Sequence, residues 1–119
     1  MKKFIFLLGL CVFLFSASVL HAVDFIYTTL FPPGWRSAYA ESINDSGQVV
    51  GTGRVSKANG AYDPFLWQKD KGTMRLESLV SDMAGFSDLT RGDRINNHGQ
   101  IVGAGTTRAG QRGYLATPK

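Results

Sequence analysis

The sequence predicts an all-β protein made of two tandem four-stranded antiparallel units, arranged like the blades of a propeller. The first observation is a repeat: "INDSGQVVGTG" (43–53) returns as "INNHGQIVGAG" (95–105), at an offset of 52 residues. Runs of alternating or β-branched residues flank both copies, as in short strands. No useful stretch after residue 22 has the apolar period of an amphipathic helix. A repeat of about fifty residues is typical of arrays of small β units.

Residues 1–22 have the layout of a secretory signal peptide. Lys2 and Lys3 precede an apolar run over 4–15, and small residues lead to Ala22. The apolar run is shorter than the ~20 residues that a membrane-spanning helix needs. We therefore expect cleavage after Ala22 and a periplasmic or extracellular location, with membrane contact only through the signal peptide before cleavage.

The remaining chain, 23–119, is expected to form a single β domain of two repeats, approximately 23–72 and 73–119. Loss of the signal peptide removes Cys11, the only cysteine, and so excludes disulfides and cysteine chemistry. The 13 lysines and arginines less the two in the signal peptide leave 11, against 9 acidic residues. No basic run survives, so nucleic acid is not an expected partner, and no cofactor is expected.

Four strands joined by tight turns are predicted within one unit of the repeat pattern. "NDSG" (44–47) and "KDKG" (69–72) each combine residues that start a turn with a glycine for the left-handed position. Gly51 and Gly53 are expected to allow a bend or close packing across the sheet. The expected strands are 37–43, 48–55, 64–68 and 73–80. The expected structural turn residues are Asn44, Gly47, Gly72, Asn96 and Gly99.

The stretch "SAYAESINDSGQVVG…DPFLW…GTMRLESL" resembles the bacterial probable extracellular repeat called the HAF repeat. In that repeat a small-residue strand, Ile-Asn-x-x-Gly-Gln-Val-Val-Gly and a His-Ala-Phe-Leu-Trp strand recur. The resemblance covers nearly all of 23–119 in two copies, but 63–64 and 112–114 depart from its third strand. It implies export and a propeller-like run of antiparallel blades, and it brings no activity and no catalytic residues.

The N-terminal segment is predicted to close the second sheet. "IYTTL" (26–30) aligns with "RLESL" (75–79) at an offset of 49, and the chain ends on the third-strand pattern "GYLATPK" (113–119). The units are therefore circularly shifted, and the N-terminal strand is expected to complete the sheet formed by the last three strands. Two units cannot enclose a propeller channel. A small sandwich or flattened barrel and a larger ring of several copies both remain open.

Little in the sequence indicates catalysis. His98 is the only histidine after residue 22, and it stands at a hairpin tip where the first repeat has Ser46. A turn role is favoured over a hydrolase site with Asp88 or Asp93. One histidine without cysteine is a poor zinc site, and the turns lack the ligand ladder of a calcium loop.

The longer connections are expected to gather at one end of the domain, because alternating strands place the tight turns at the other end. These connections are 31–36, 54–62, 81–91 and 107–112. Long loops on a rigid scaffold are a common location for binding sites. The sequence leaves two roles for Trp35 equally open: it caps the core, or it contacts a ligand. Arginine together with aromatic residues suits a protein partner with an acidic surface. The candidate partner-binding residues are Trp35, Arg36, Arg54, Lys57, Tyr62, Arg91, Arg108 and Arg112.

These features predict a secreted or periplasmic, non-catalytic binding module. One specific form is an inhibitor or immunity-type protein that caps an enzyme of the cell envelope. Two alternatives stay open. One is a structural repeat protein, a homo-oligomer assembled through the edges of its blades, and the other is a hydrolase that uses His98.

Overall fold

The computed structural model describes residues 23–30, 34–55 and 61–119, so the predicted signal peptide lies outside the described residues. The described part is mostly β, with two antiparallel sheets of four and three strands, which confirms the all-β, antiparallel part of the predicted fold class. Among the described residues, no helix has both the length and the apolar character needed to cross a membrane. The strands are β1 (Trp35–Ile43), β2 (Val49–Val55), β3 (Tyr62–Gln68), β4 (Gly72–Arg75), β5 (Phe86–Ile95), β6 (Ile101–Thr107) and β7 (Gly110–Ala116).

The first sheet has the strand order β1-β2-β3-β4, and its tight turns use the predicted residues. The side-chain oxygen of Asn44 accepts hydrogen bonds from the backbone N–H groups of Ser46 and Gln48, at 3.1 and 2.9 Å. Gly47 and Gly72 have φ of +78° and +75°, the left-handed conformation that the sequence predicts for both. The first sheet therefore follows from local turn chemistry and strand pattern.

The fourth strand is shorter than predicted. Of the expected strand 73–80, only the part up to Arg75 is in β4, and Leu76–Leu79 form a 3₁₀ turn. Leu76 is buried in the core between the sheets, and a carboxylate oxygen of Glu77 accepts a hydrogen bond of 2.8 Å from the backbone of Leu89. Contacts with the second sheet therefore override the alternating pattern.

The second sheet has three strands, in the order β5-β6-β7. The predicted closure by the N-terminal strand is not observed, because residues 23–30 form no strand. The carbonyl of Leu30 accepts a 3.0 Å hydrogen bond from the hydroxyl of Thr73, which ties the end of this segment to β4 of the first sheet. The described residues thus form two open sheets rather than a closed barrel or propeller.

Two expected connections are partly strand. β5 begins at Phe86, so half of the predicted connection 81–91 belongs to the second sheet. The predicted connection 107–112 shrinks to a turn at Arg108 and Ala109, followed by Gly110 with φ of +109°. The threonine hydroxyl before this turn accepts a bond from the backbone N–H of Ala109, at 3.1 Å. Side-chain hydrogen bonding therefore allows a shorter reversal than the sequence suggested.

The two sheets pack through non-equivalent faces. Val50 and Ile101 both lie in the core between the sheets. In the repeat, however, Val50 is equivalent to Val102, at the offset of 52. Val102 lies on the far side of the second sheet and is 42% exposed, while Val50 is completely buried. If the face that carries Val50 or its equivalent Val102 is called the front of each sheet, the front of the first sheet packs on the back of the second. The front of the second sheet is therefore left open.

Each sheet carries an aromatic pair over the Gly-x-Gly of its second strand. The rings of Trp35 and Phe65 meet edge to face at 6.1 Å, and those of Phe86 and Tyr114 at 6.2 Å. A Cβ on any glycine of the two Gly-x-Gly phrases would come closer than 3.0 Å to a ring atom or a backbone oxygen. The repeated glycines therefore serve close packing, and the half-buried Trp35 packs on its own sheet.

Candidate functional site

The repeated hairpin turns stack directly on each other. The side-chain amide of Asn44 donates a 2.9 Å hydrogen bond to the carbonyl of Asn96, its own repeat equivalent. The backbone N–H of Asp45 donates to Oδ1 of Asn97, and Nδ2 of Asn97 donates to a carboxylate oxygen of Asp45, both at 2.8 Å. Gly99, at +77°, matches the left-handed φ of Gly47. The phrase that the chain repeats is therefore used to join the two units.

Hydroxyl groups of the first sheet continue this connection along β5. The backbone N–H of Ile95 donates to Oγ of Ser42 at 3.2 Å, and that of Gly92 donates to Oγ1 of Thr52 at 3.1 Å. At the offset of 52, the second unit has Arg94 and an alanine at these hydroxyl positions. These polar side chains satisfy the N–H groups of an edge strand, so they are structural.

His98 lies at the exposed tip of the second hairpin, where its backbone N–H donates to Oδ1 of Asn96 at 3.0 Å. Asp88 and Asp93 line a groove that His98 does not border. Within 23–30, 34–55 and 61–119, no group of three or more His, Cys, Asp and Glu side chains is placed to hold a metal ion. The structure therefore does not bring His98 together with Asp88 or Asp93, the residues of the hydrolase alternative.

An ion pair with a buried carboxylate occupies the position where the third strand departs from the HAF pattern. Asp63 is 6% exposed and accepts a 2.9 Å hydrogen bond from a guanidinium nitrogen of Arg75. This hydrogen bond is the main cause that raises the pKa of Arg75 above its ordinary value. A buried carboxylate needs such a partner, so Asp63 joins β3 to β4.

An open groove of about 660 Å³ lies between the two sheets, away from the stacked turns. β5 packs against β1, β2 and β3 of the first sheet, and the groove lies between these strands and the second sheet. The lining residues come from five strands and one loop. They are Tyr39, Glu41, Thr52, Ala61, Tyr62, Asp88, Thr90, Arg91, Asp93 and Gln111.

The groove is rich in hydrogen-bond acceptors. Among the lining residues that the structure describes, the carboxylates are those of Glu41, Asp88 and Asp93, and the cation is that of Arg91. That cation is already engaged, since its Nη2 lies 3.1 Å from Oδ2 of Asp93. Oδ1 of Asp88 is buried and accepts no hydrogen bond from the described residues. A buried acceptor without a partner is unfavourable, so this wall of the groove suits a ligand that supplies donors.

Two exposed tyrosines supply the apolar surface of the groove. Tyr39 projects from β1 and Tyr62 from the start of β3. The guanidinium carbon of Arg54 lies 5.3 Å from the ring centroid of Tyr62, a cation–π contact that holds this ring in place. Tyrosines with one polar and one apolar side are enriched at binding surfaces.

Some of the predicted partner-binding residues lie at the groove, and others lie elsewhere. Tyr62 and Arg91 line the groove, and Arg54 stacks on Tyr62. Trp35 packs on the aromatic ring of Phe65 instead. Lys57 lies outside the described residues. The remaining three are exposed outside the groove lining: Arg36, Arg108 and Arg112.

Sequence reasoning missed the β1 side of the groove. The sequence predicts Tyr39 and Glu41 only as strand residues, and it predicts binding in the connections. The phrase "SAYAESI" does contain a signal, because Tyr39 and Glu41 alternate with small residues and therefore share one face of the strand. Asp88 and Asp93 were considered only as partners of His98.

Comparison with family models, with curated proteins and with solved structures finds no match to this chain. The resemblance to the HAF repeat therefore rests on the residues quoted for it.

Proposed function

We propose that this protein is a secreted or periplasmic, non-catalytic binding module that holds a segment of a protein partner in the groove between its sheets. The observation that carries the proposal is the lining of the groove, with exposed Tyr39 and Tyr62 facing the carboxylates of Glu41, Asp88 and Asp93. Aromatic area with a few convergent polar groups is typical of binding sites. The signal-peptide pattern in residues 1–22 supports export.

The charges in the groove favour a partner segment with lysine or arginine. Three carboxylates of the described residues face the groove, and Arg91, the cation among its described lining residues, is paired with one of them. A guanidinium or ammonium group could donate to the buried Oδ1 of Asp88. This sign is opposite to the acidic partner expected from the arginines, because most of those arginines lie outside the groove. An inhibitor or immunity-type protein would receive a cationic segment of its enzyme here.

The packing of the sheets supports the blade-like part of the proposal. A front-to-back contact between repeats is how successive blades of a propeller meet, and the same aromatic pair occurs in both units. A hydrolase that uses His98 is the weaker candidate, since His98 is in the hairpin turn and both candidate aspartates line the groove. We expect His98→Ala to leave partner capture unchanged.

The test is capture of a partner from the envelope fraction of the source cells with the tagged, exported protein. The double variant Glu41→Gln with Asp88→Asn removes two groove charges at nearly constant volume. Asp70→Asn is the matched control, because Asp70 is an exposed carboxylate in the β3–β4 turn, outside this groove. We expect the double variant to reduce capture at least tenfold with an unchanged melting temperature, and the control to capture normally. Equal capture by all three proteins would refute the groove as the binding site.

A further inference from the structure

The outer edge of the second sheet is unpaired among the described residues. In the first sheet β3 pairs with β4 on its outer side, but β7 has no such neighbour. The repeat aligns β7 with β3 at an offset of 49, which places Leu115 at the position of Leu66. Leu66 pairs with Met74 of β4 and is buried in the core between the sheets, while Leu115 is 61% exposed beside Val102 on the open face of the second sheet. Within the part of the chain that the structure describes, the second unit therefore has no equivalent of β4. An open edge of this kind can template pairing with another chain.

The chain also contains an apolar segment that pairs with no strand. The side chains of Val23, Phe25, Ile26 and Tyr27 are between 77% and 96% exposed, and residues 23–30 form no strand. A contiguous row of exposed large apolar residues typically indicates an interaction site. The end of the segment is attached to the first sheet through the bond between the carbonyl of Leu30 and the hydroxyl of Thr73.

The free segment matches the missing strand in register. The offset of 49 aligns residues 23–26 with β4, so Phe25 takes the place of Met74. In the first sheet Met74 lies directly opposite Leu66. By the same register Phe25 would lie opposite Leu115, and each would cover apolar surface that the other now exposes.

We propose that residues 23–26 of one copy add to β7 of a second copy as the antiparallel fourth strand of its second sheet. The backbone pairing supplies affinity, as in other cases of strand addition, and the contact of Phe25 with Leu115 sets the register. A second copy is the occupant because the segment is tied at Leu30 to β4 of its own first sheet. Residues 23–26 and the edge of β7 are different surfaces of the molecule. Each copy therefore uses both surfaces, one toward each neighbour, and the assembly is head to tail. This inference is independent of the proposed groove.

Cysteine cross-linking tests the pairing and its register. Two exported proteins are made from the full chain with Cys11→Ser. One carries Phe25→Cys as its only cysteine, and the other carries Leu115→Cys. Opposite residues of an antiparallel pair have Cα atoms ~4.5–5.5 Å apart, within the range that a disulfide bridges. We expect a disulfide-linked heterodimer when the two are mixed under mild oxidation. Gln111→Cys, exposed on the same strand but outside the register, is the control in place of Leu115→Cys and should not cross-link. No heterodimer, or equal cross-linking by the control, would overturn the proposal.

The mass of the assembly in solution gives a second readout. We expect light scattering to show a mass above that of the monomer for the wild-type protein, and a monomer for Phe25→Asp with an unchanged melting temperature. Tyr27→Asp is the matched control, because Tyr27 is also an exposed aromatic residue but lies beyond residues 23–26. It should retain the assembly. A monomeric wild type at all concentrations, or equal dissociation by both aspartates, would contradict strand addition.

Discussion

At Gly103 the backbone of β6 passes directly under an aromatic side chain. A Cβ there would lie 2.6 Å from the hydroxyl of Tyr114 and would collide with the carbonyl of Arg91. Gly113, on the neighbouring strand, has its nearest atom at 3.6 Å, an ordinary contact. We expect Gly103→Ala to destabilise the fold by about 1–3 kcal/mol, the range for forced overpacking, and Gly113→Ala to have a small effect. Thermal unfolding measures both, and equal effects would contradict the close-packing role of the repeated glycines.

Tyr114 makes stability depend on alkaline pH. Its hydroxyl donates a 2.6 Å hydrogen bond to the carbonyl of Arg91, and burial raises its pKa well above the ordinary 10.0. The folded state keeps this proton while the unfolded state loses it above about pH 10, so this contribution to stability is present below pH 10 and falls as pH rises further. We expect Tyr114→Phe to have a lower melting temperature than the wild-type protein at pH 8. The difference between the two melting temperatures should become smaller between pH 10 and 11.5. A difference that is constant with pH would rule out this titration.

The pairing of the two hairpin turns can be tested with two equivalent asparagines. Asn44 and Asn96 hold their own turns with the same hydrogen bonds, but only Asn44 also donates across to the other turn. Asn44 is also buried, while Asn96 is exposed. We expect Asn44→Ala to lower the free energy of unfolding by about 1–3 kcal/mol, because the carbonyl of Asn96 loses one of its two donors and a buried side chain is removed. Asn96→Ala should cost less. Denaturant unfolding measures the difference. A larger loss for Asn96→Ala would contradict the stacking.

The elements that could be predicted from the sequence are those decided by local chemistry. The turn at 44–47 and its repeat contain an asparagine and a glycine whose roles depend on neighbouring backbone groups alone. The 3₁₀ turn at Leu76–Leu79 could not be predicted, because the burial of Leu76 and the bond from Leu89 to Glu77 come from the second sheet. The segment 26–30 alternates like a strand, but a strand also needs an edge to pair with.

The candidate site was predicted only where it touches the connections. Tyr62 and Arg91 were identified because they lie at or beside a predicted loop, and both line the groove. The groove itself depends on how the second sheet crosses the first, and this angle comes from packing. Its carboxylates are far apart in sequence, from Glu41 to Asp93, so no local motif indicates them.

The whole described domain depends on one core between its sheets, and this predicts a single unfolding transition. Leu89 of β5 is 3% exposed and belongs to the same buried cluster as Val50 and Leu66 of the first sheet. Truncation of a buried leucine to alanine costs about 2–5 kcal/mol, through lost contacts and the cavity that remains. Leu89→Ala should therefore lower the stability of both sheets, whereas Val102→Ala, on the open face, should have a small effect in the monomer.

Tryptophan fluorescence separates the two sheets in this measurement, because Trp35 and Trp67 both belong to the first sheet. In Leu89→Ala we expect the fluorescence transition and the far-ultraviolet circular dichroism transition to move together to lower denaturant, although the substitution is in the second sheet. The physical reason is that neither sheet can keep its apolar face covered without the other, so loss of one exposes the core of both. A fluorescence transition that stayed at the wild-type midpoint would show that the first sheet folds by itself, and the shared core would then not be what holds the units together.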